Sequence, residues 1–115
     1  MIKNPCPDSL CVCVLASGSR GNAIYVASEN TAVLFDAGLS GSAIEARMKQ
    51  RGLPPDNLDA LVVSHEHSDH ILGVGVLARR YSLPVYINRA TRNAAASRIG
   101  KIRHFCRFEC GAPFR

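Results

Sequence analysis

The segment Leu61-Val62-Val63-Ser64-His65-Glu66-His67-Ser68-Asp69-His70 runs from apolar residues straight into three histidines and an aspartate. Imidazole nitrogens and carboxylate oxygens are the ligands a borderline-soft divalent cation takes, and His65, His67, Asp69 and His70 offer four within six residues. On a helix, positions two apart face different directions, so the set would scatter. In a tight loop after a strand, His65 and His67 can converge on one ion while Asp69 and His70 turn toward a neighbouring one. A lone histidine is ordinarily structural, whereas a cluster this dense points to a metal.

The elements around the cluster must deliver it to one place. Ala60 to Val63 is an uninterrupted apolar run, the pattern of a strand buried on both faces. Upstream, Leu10 to Ala16, Ala23 to Ser28 and Ala32 to Phe35 read as three short strands. The turns Ser17 to Asn22 and Glu29-Asn30-Thr31 join them, which suggests an antiparallel meander. A helix is predicted from Ser42, where Ser42 and Glu45 form a capping box. Its inner face carries Ile44 and Met48, its outer face Arg47, Lys49 and Arg51, and Gly52 with Pro54-Pro55 ends it. Ile71 to Tyr81 is predicted to be one helix packing Ile71, Val74, Leu77 and Ala78 on the sheet, with Gly73 and Gly75 marking a close backbone approach. Pro84 to Ile87 reads as a strand, followed by a helix that Thr91 caps and Gly100 closes. From Lys101 onward no element is predicted, although Phe105, Phe108 and Phe114 are apolar enough to pack.

A chain of 115 residues, 47% hydrophobic and 20% charged, has the material for one soluble globular domain. Its net charge of +5 is unevenly spread. Residues 1–78 carry five bases against eight carboxylates, net −3, while residues 79–115 carry nine bases against Glu109 alone, net +8. A basic segment beside a metal cluster suits a polyanionic substrate; a solvated basic helix face is the plainer reading.

Five cysteines, an odd number, do not form a disulfide framework. Cys11 and Cys13 alternate with Val12 and Val14 and so share one strand face as small apolar residues. A second metal site from Cys11, Cys13, Cys106 and Cys110 lacks zinc-ribbon spacing. Lys3 followed by Leu10 to Ala16 mimics a signal peptide, but Pro5, Pro7 and Asp8 precede a run at the short limit for one. No stretch approaches the ~18 apolar residues of a membrane span, so no membrane association is expected and the expected location is the cytoplasm.

His65-x-His67-x-Asp69-His70 after an apolar strand resembles the signature of the metallo-β-lactamase-fold hydrolases. The order around it is similar as well: a strand ending in Phe35-Asp36-Ala37-Gly38, a helix, the strand into the cluster, then a helix opening on His70-Ile71-x-Gly73. The opening Leu15-Ala16-Ser17-Gly18-Ser19-x-Gly21-Asn22 resembles that of the WalJ/YycJ-type members, which are linked to DNA processing. The resemblance implies an α/β (α+β) fold, the N-terminal half of an αββα sandwich, with a mostly antiparallel sheet and flanking helices. Residues 1–115 would then form a single partial domain. It implies that His65 and His67 ligate a first metal and Asp69 and His70 a second, zinc first among candidates, with manganese or iron as alternatives. Asp36 would support the metal loop from behind, and Asp69 would also act catalytically by holding a metal-activated water in line. Ser17, Ser19 and Asn22 would lie at the rim, where hydroxyls and backbone N–H groups can bind a substrate phosphate.

The resemblance covers most of residues 10–100 and one half of the fold. The family's later motifs, which complete both metal sites, have no counterpart here, and His104 sits in no matching pattern. The expectation is therefore a metal-dependent, phosphodiesterase- or nuclease-like hydrolase whose truncated chain lacks ligands. Two rivals stand beside it: a non-catalytic metal-binding or interaction module, and a half-domain needing a homodimeric partner or its missing C-terminal half.

Overall fold

The computed structural model describes residues 10–65, 68–102 and 105–107, with the backbone alone at Ser68, Asp69, Arg98 and Arg107. Within them a single sheet holds its strands in chain order: β1 (Cys11–Ala16), β2 (Ala23–Ala27), β3 (Ala32–Phe35), β4 (Ala60–Val63), β5 (Val85–Ile87) and β6 (Phe105–Arg107). β1, β2 and β3 pair antiparallel, as the tight turns between them require. The β3–β4, β4–β5 and β5–β6 pairs are parallel. The expected predominance of antiparallel pairing therefore holds for the first three strands alone. Each later connection contains a helix, and a helical crossover returns the chain to the edge it started from.

Those helices are α1 (Gly41–Gln50), α2 (Ser68–Ile71), α3 (Val74–Tyr81) and α4 (Arg89–Ile99). α1 is capped by Ser40, whose hydroxyl accepts from Ala43 N at 3.2 Å, and not by the predicted Ser42. Glu45 is drawn away from any capping box because its carboxylate binds Arg80 and Tyr81 of α3. Ile44 and Met48 are fully buried, as their spacing predicts. Arg47, predicted to point outward, reaches back to donate to Leu15 O at 2.7 Å. The cap of α4 lies three residues before the predicted one: Asn88 is the cap and accepts from Thr91 N at 2.8 Å, while Gly100 ends the helix at φ 78°.

The predicted helix Ile71 to Tyr81 is interrupted between α2 and α3. The break lies where Gly73 meets the loop after β3: Gly73 N donates to Ala37 O at 2.7 Å, and Ala37 N donates to His70 O at 2.8 Å. A Cβ on Gly73 would stand 2.5 Å from Leu39 O, so the close approach predicted there is real and requires glycine.

The helix-covered face of the sheet carries the core, with Leu15, Tyr25, Leu34, Leu61, Val63, Val85 and Ile87 packed against Ile44, Met48, Leu77 and Ile99. The opposite face is apolar and open. Register aligns Val14, Ile24, Phe35, Val62, Tyr86 and Cys106 in one row across all the strands, with Val12, Val26 and Val33 beside it. Val12 is 61% exposed, Val14 51% and Phe35 40%. Val62 lies in this row half-buried, so β4 is not covered on both faces as its apolar run suggested. Cys11 and Cys13 do share the opposite side of β1. Cys106 lies on the far edge of the sheet from them, about 24 Å away at five strand spacings of ~4.8 Å, which removes the four-cysteine metal site. Cys110, His104, Phe108 and Phe114 lie outside the described residues.

Candidate metal centre

β1, β3, β4 and β5 all point the same way, so the turn after β1 and the loops after β3, β4 and β5 gather at one edge of the sheet. This is the edge where open α/β sheets bind ligands. It holds Ser17 to Asn22 from the first turn, Asp36 from the second loop, Ser64 and His65 from the third, and Asn88 from the fourth. α2 then brings His70 back over it.

Asp36 is the hub. Its backbone is left-handed at φ 64°, a conformation that aspartate tolerates better than most residues, and its N–H donates to Val62 O at 2.7 Å. One carboxylate oxygen accepts from Ser64 N at 2.8 Å. The other accepts from Ser64 Oγ at 2.6 Å and from His70 Nδ1 at 2.8 Å. An ionised carboxylate only accepts, so the His70 proton is on Nδ1 and the lone pair is on Nε2. The Ser64 proton is already directed at Asp36. The 3.0 Å contact between Ser64 Oγ and His65 Nδ1 therefore has His65 as donor, which puts the lone pair of this ring on Nε2 as well. The rings lie with centroids 4.8 Å apart and planes inclined at 43°.

The donor set thus has the chemistry a divalent cation requires: adjacent imidazoles each bonded through Nδ1, backed by a carboxylate engaged with Ser64 and His70. Among the described residues no group of three or more His, Cys, Asp or Glu side chains comes together around a metal position. His67, and with it Glu66, lies outside those residues, and so does the side chain of Asp69. Ser64, to which the sequence assigns no role, joins Asp36 and His65 in this network. Its position, directly after the strand and directly before His65, was the available clue.

At the rim, Asn22 closes its own turn: its side chain accepts from Gly18 N at 3.2 Å and donates to Gly18 O at 2.9 Å. Asn22 O accepts from Gly38 N at 2.9 Å, which seats the turn against the loop of Asp36. Ser17 and Ser19 are exposed on that turn.

The chain belongs to the metallo-beta-lactamase superfamily, whose family model matches residues 16–102. That fold implies divalent metal binding. Among curated proteins the chain is 55% identical over 89 residues to an exodeoxyribonuclease YycJ of Bacillus anthracis, covering 77% of this chain and 34% of that one. It is 48% identical over 81 residues to an exodeoxyribonuclease WalJ of Streptococcus pneumoniae, covering 70% of this chain and 30% of that one. The chain thus spans about a third of the length of these relatives. Among solved structures, a B3 metallo-beta-lactamase with an active-site glutamic acid superposes with TM-score 0.73 at 18% identity, covering 89% of this chain and 44% of that one. The metallo-beta-lactamase SMB-1 gives 0.74 at 13% identity, covering 95% and 49%. These likenesses establish the fold. No helix among the described residues is long and apolar enough to cross a membrane.

Proposed function

We propose that this chain forms the metal-binding part of a metal-dependent phosphodiester hydrolase acting on DNA. The observation that carries the reading is the Asp36, Ser64, His65 and His70 network at the carboxyl edge of the sheet, which fixes both imidazole tautomers for a cation. The exodeoxyribonuclease relatives supply the substrate class. His65, His67, Asp69 and His70 would hold one or two ions, zinc by donor chemistry, with manganese and iron as alternatives. When bound, the metal supplies a water nucleophile at neutral pH and polarises the phosphoryl oxygen. The residues of this chain do the rest: Asp36 orients His70 and Ser64, Ser64 orients His65, and Asp69 would hold the attacking water in line. Ser17 and Ser19 offer hydroxyls to a substrate phosphate, while Asn22 acts by holding their turn.

In this reading residues 1–115 are one partial domain working in the cytoplasm, where bacterial DNA is found. The test is release of labelled nucleotides from a DNA end with added zinc or manganese. Metal-dependent release that chelation abolishes and His70→Ala removes supports the proposal. Stoichiometric metal binding with no turnover favours the rival reading of a non-catalytic metal-binding module.

The open sheet face favours one extension of this reading. Val12, Val14 and Phe35 present an apolar surface that soluble proteins ordinarily cover. The proposed hydrolase is completed by a second layer on this face, from a second copy of the chain or from a C-terminal half.

A further inference from the structure

We infer that Arg20 and Arg89 flank the metal centre as phosphate-binding residues, holding a nucleic-acid strand across the carboxyl edge of the sheet. The inference rests on the nuclease reading above and goes beyond it by naming the groups that seat the substrate. Among the described residues the basic side chains at the helix ends and turns sort by edge. Lys49 and Arg51 end α1, Arg79 and Arg80 end α3, and Lys101 follows α4, all at the edge away from the site. Several of them have structural work: Arg79 donates to Ile99 O at 3.0 Å and Lys101 O at 3.1 Å, and Arg80 binds Glu45.

At the site edge the arrangement differs. Arg20 is exposed in the β1–β2 turn, which hydrogen-bonds the loop of Asp36 through Asn22 and Gly38. Arg89 is exposed at the start of α4. The parallel register pairs Val63 with Ile87, the last residues of adjacent strands, and His65 and Arg89 each follow two residues after that pair at the same edge of the sheet. α2, the helix that carries His70, and α4, which Arg89 begins, are in contact. Arg92, one turn further in, already lies on the Phe105 ring at 4.1 Å and serves to hold β6.

Strand order then fixes the spacing. The β1–β2 turn and the end of β5 are separated by three to four strand spacings, about 14–19 Å, with Asp36, His65 and His70 between them. A strand bound at both arginines passes over the imidazoles. Before an ion is bound, the loops between carry the charges of Asp36, Glu66 and Asp69, which repel a polyanion, and cations on either side help to draw one in.

The experiment measures binding of a fluorescein-labelled single-stranded oligonucleotide to the full chain, by anisotropy across a salt series, and hydrolysis in parallel. Arg20→Ala and Arg89→Ala should each weaken binding about tenfold and lower the steepness of the log–log salt dependence by about 0.7, the value for one phosphate contact on a single strand. Hydrolysis should show a raised KM with kcat retained. Arg89→Lys should recover part of the loss, and Lys101→Ala, at the opposite edge, should change nothing. A wild-type chain that binds and cuts DNA while Arg20→Ala and Arg89→Ala keep its affinity and salt slope overturns the inference and leaves the nuclease reading standing. A wild-type chain that neither binds nor cuts DNA overturns both.

Discussion

The Asp36 carboxylate and the His70 imidazole meet at 2.8 Å, Oδ2 to Nδ1, although 34 residues separate them in sequence. Two further bonds tie the same pair of segments: Ala37 N to His70 O and Gly73 N to Ala37 O. The loop after β3 and the helix after β4 are therefore tied together, and His70 is oriented by its bond to Asp36.

Asp36→Asn and Asp36→Ala separate the electrostatic role of this carboxylate from its backbone role. Asparagine tolerates the left-handed φ, but with its one oxygen accepting from Ser64 N its NH2 group faces the His70 N–H, and the bond that orients His70 is lost. The affinity for zinc should fall about 10- to 100-fold in Asp36→Asn, as for other residues that orient a metal ligand, with little change in metal-free melting temperature. Asp36→Ala should lose affinity to a similar degree and, in addition, about 1–2 kcal/mol of stability from the unfavourable φ. Calorimetric zinc titration and metal-free thermal unfolding measure the two effects. Equal zinc affinity in wild type and Asp36→Asn would refute the role assigned to Asp36.

Gly73→Ala tests the contact between the two segments. The added methyl would sit 2.5 Å from Leu39 O, against backbone that cannot swing aside as a side chain can. A loss of about 1–3 kcal/mol is expected in urea unfolding, typical of overpacking, together with weaker metal binding as His70 is displaced. Gly52→Ala is the contrast: no atom lies within 4 Å of its added Cβ, so its cost should come from the φ of 70° alone.

Much of this arrangement can be read in the sequence. The apolar strand that stops at the histidines, and the aspartate that ends the preceding apolar strand, are local patterns, and both stand where the spacing puts them. What escapes is set by contacts distant in sequence. Ser42 and Glu45 have the spacing of a capping box, but Glu45 is claimed by Arg80 and Tyr81 of another helix and Ser40 caps instead. The parallel half of the sheet was legible in one respect: the connection from Phe35 to Ala60 is far too long for a hairpin and contains a helix. β6 is three residues long and exists by pairing with β5, so no periodicity announces it. The link from Ser64 to Asp36 has no sequence signature beyond adjacency to His65.

The Glu45 cluster predicts a pH dependence. The Tyr81 hydroxyl, followed by Arg80, holds the Glu45 carboxyl below its usual range, with burial opposing. A carboxyl with a depressed native value adds stability that is present above its unfolded value of about 4.3 and is lost as pH falls through the native one. Wild type should therefore lose melting temperature on acidification below about pH 4.3 more steeply than Glu45→Gln. Near neutral pH the variant should be the less stable of the two. Parallel slopes in the two melting curves would show that Glu45 contributes no such linkage.

The open sheet face predicts how the chain behaves in solution. The row from Val14 through Phe35 to Cys106 has the composition of a sandwich interior, and among the described residues the helices pack on the other side. Covering such a surface removes apolar area from water at about 25 cal/mol per Å², so the isolated chain should associate through it. Light scattering should give an apparent mass above that of a monomer, rising with concentration. Val14→Lys combined with Phe35→Lys should return the mass to the monomer value without loss of helical signal, because both side chains are already partly in solvent. The core face is untouched by these substitutions, so a folded monomeric variant beside an associating wild type would localise the contact to this face. A wild-type chain that stays monomeric across the concentration range would mean that the face tolerates water, and the second layer would then not be needed for solubility.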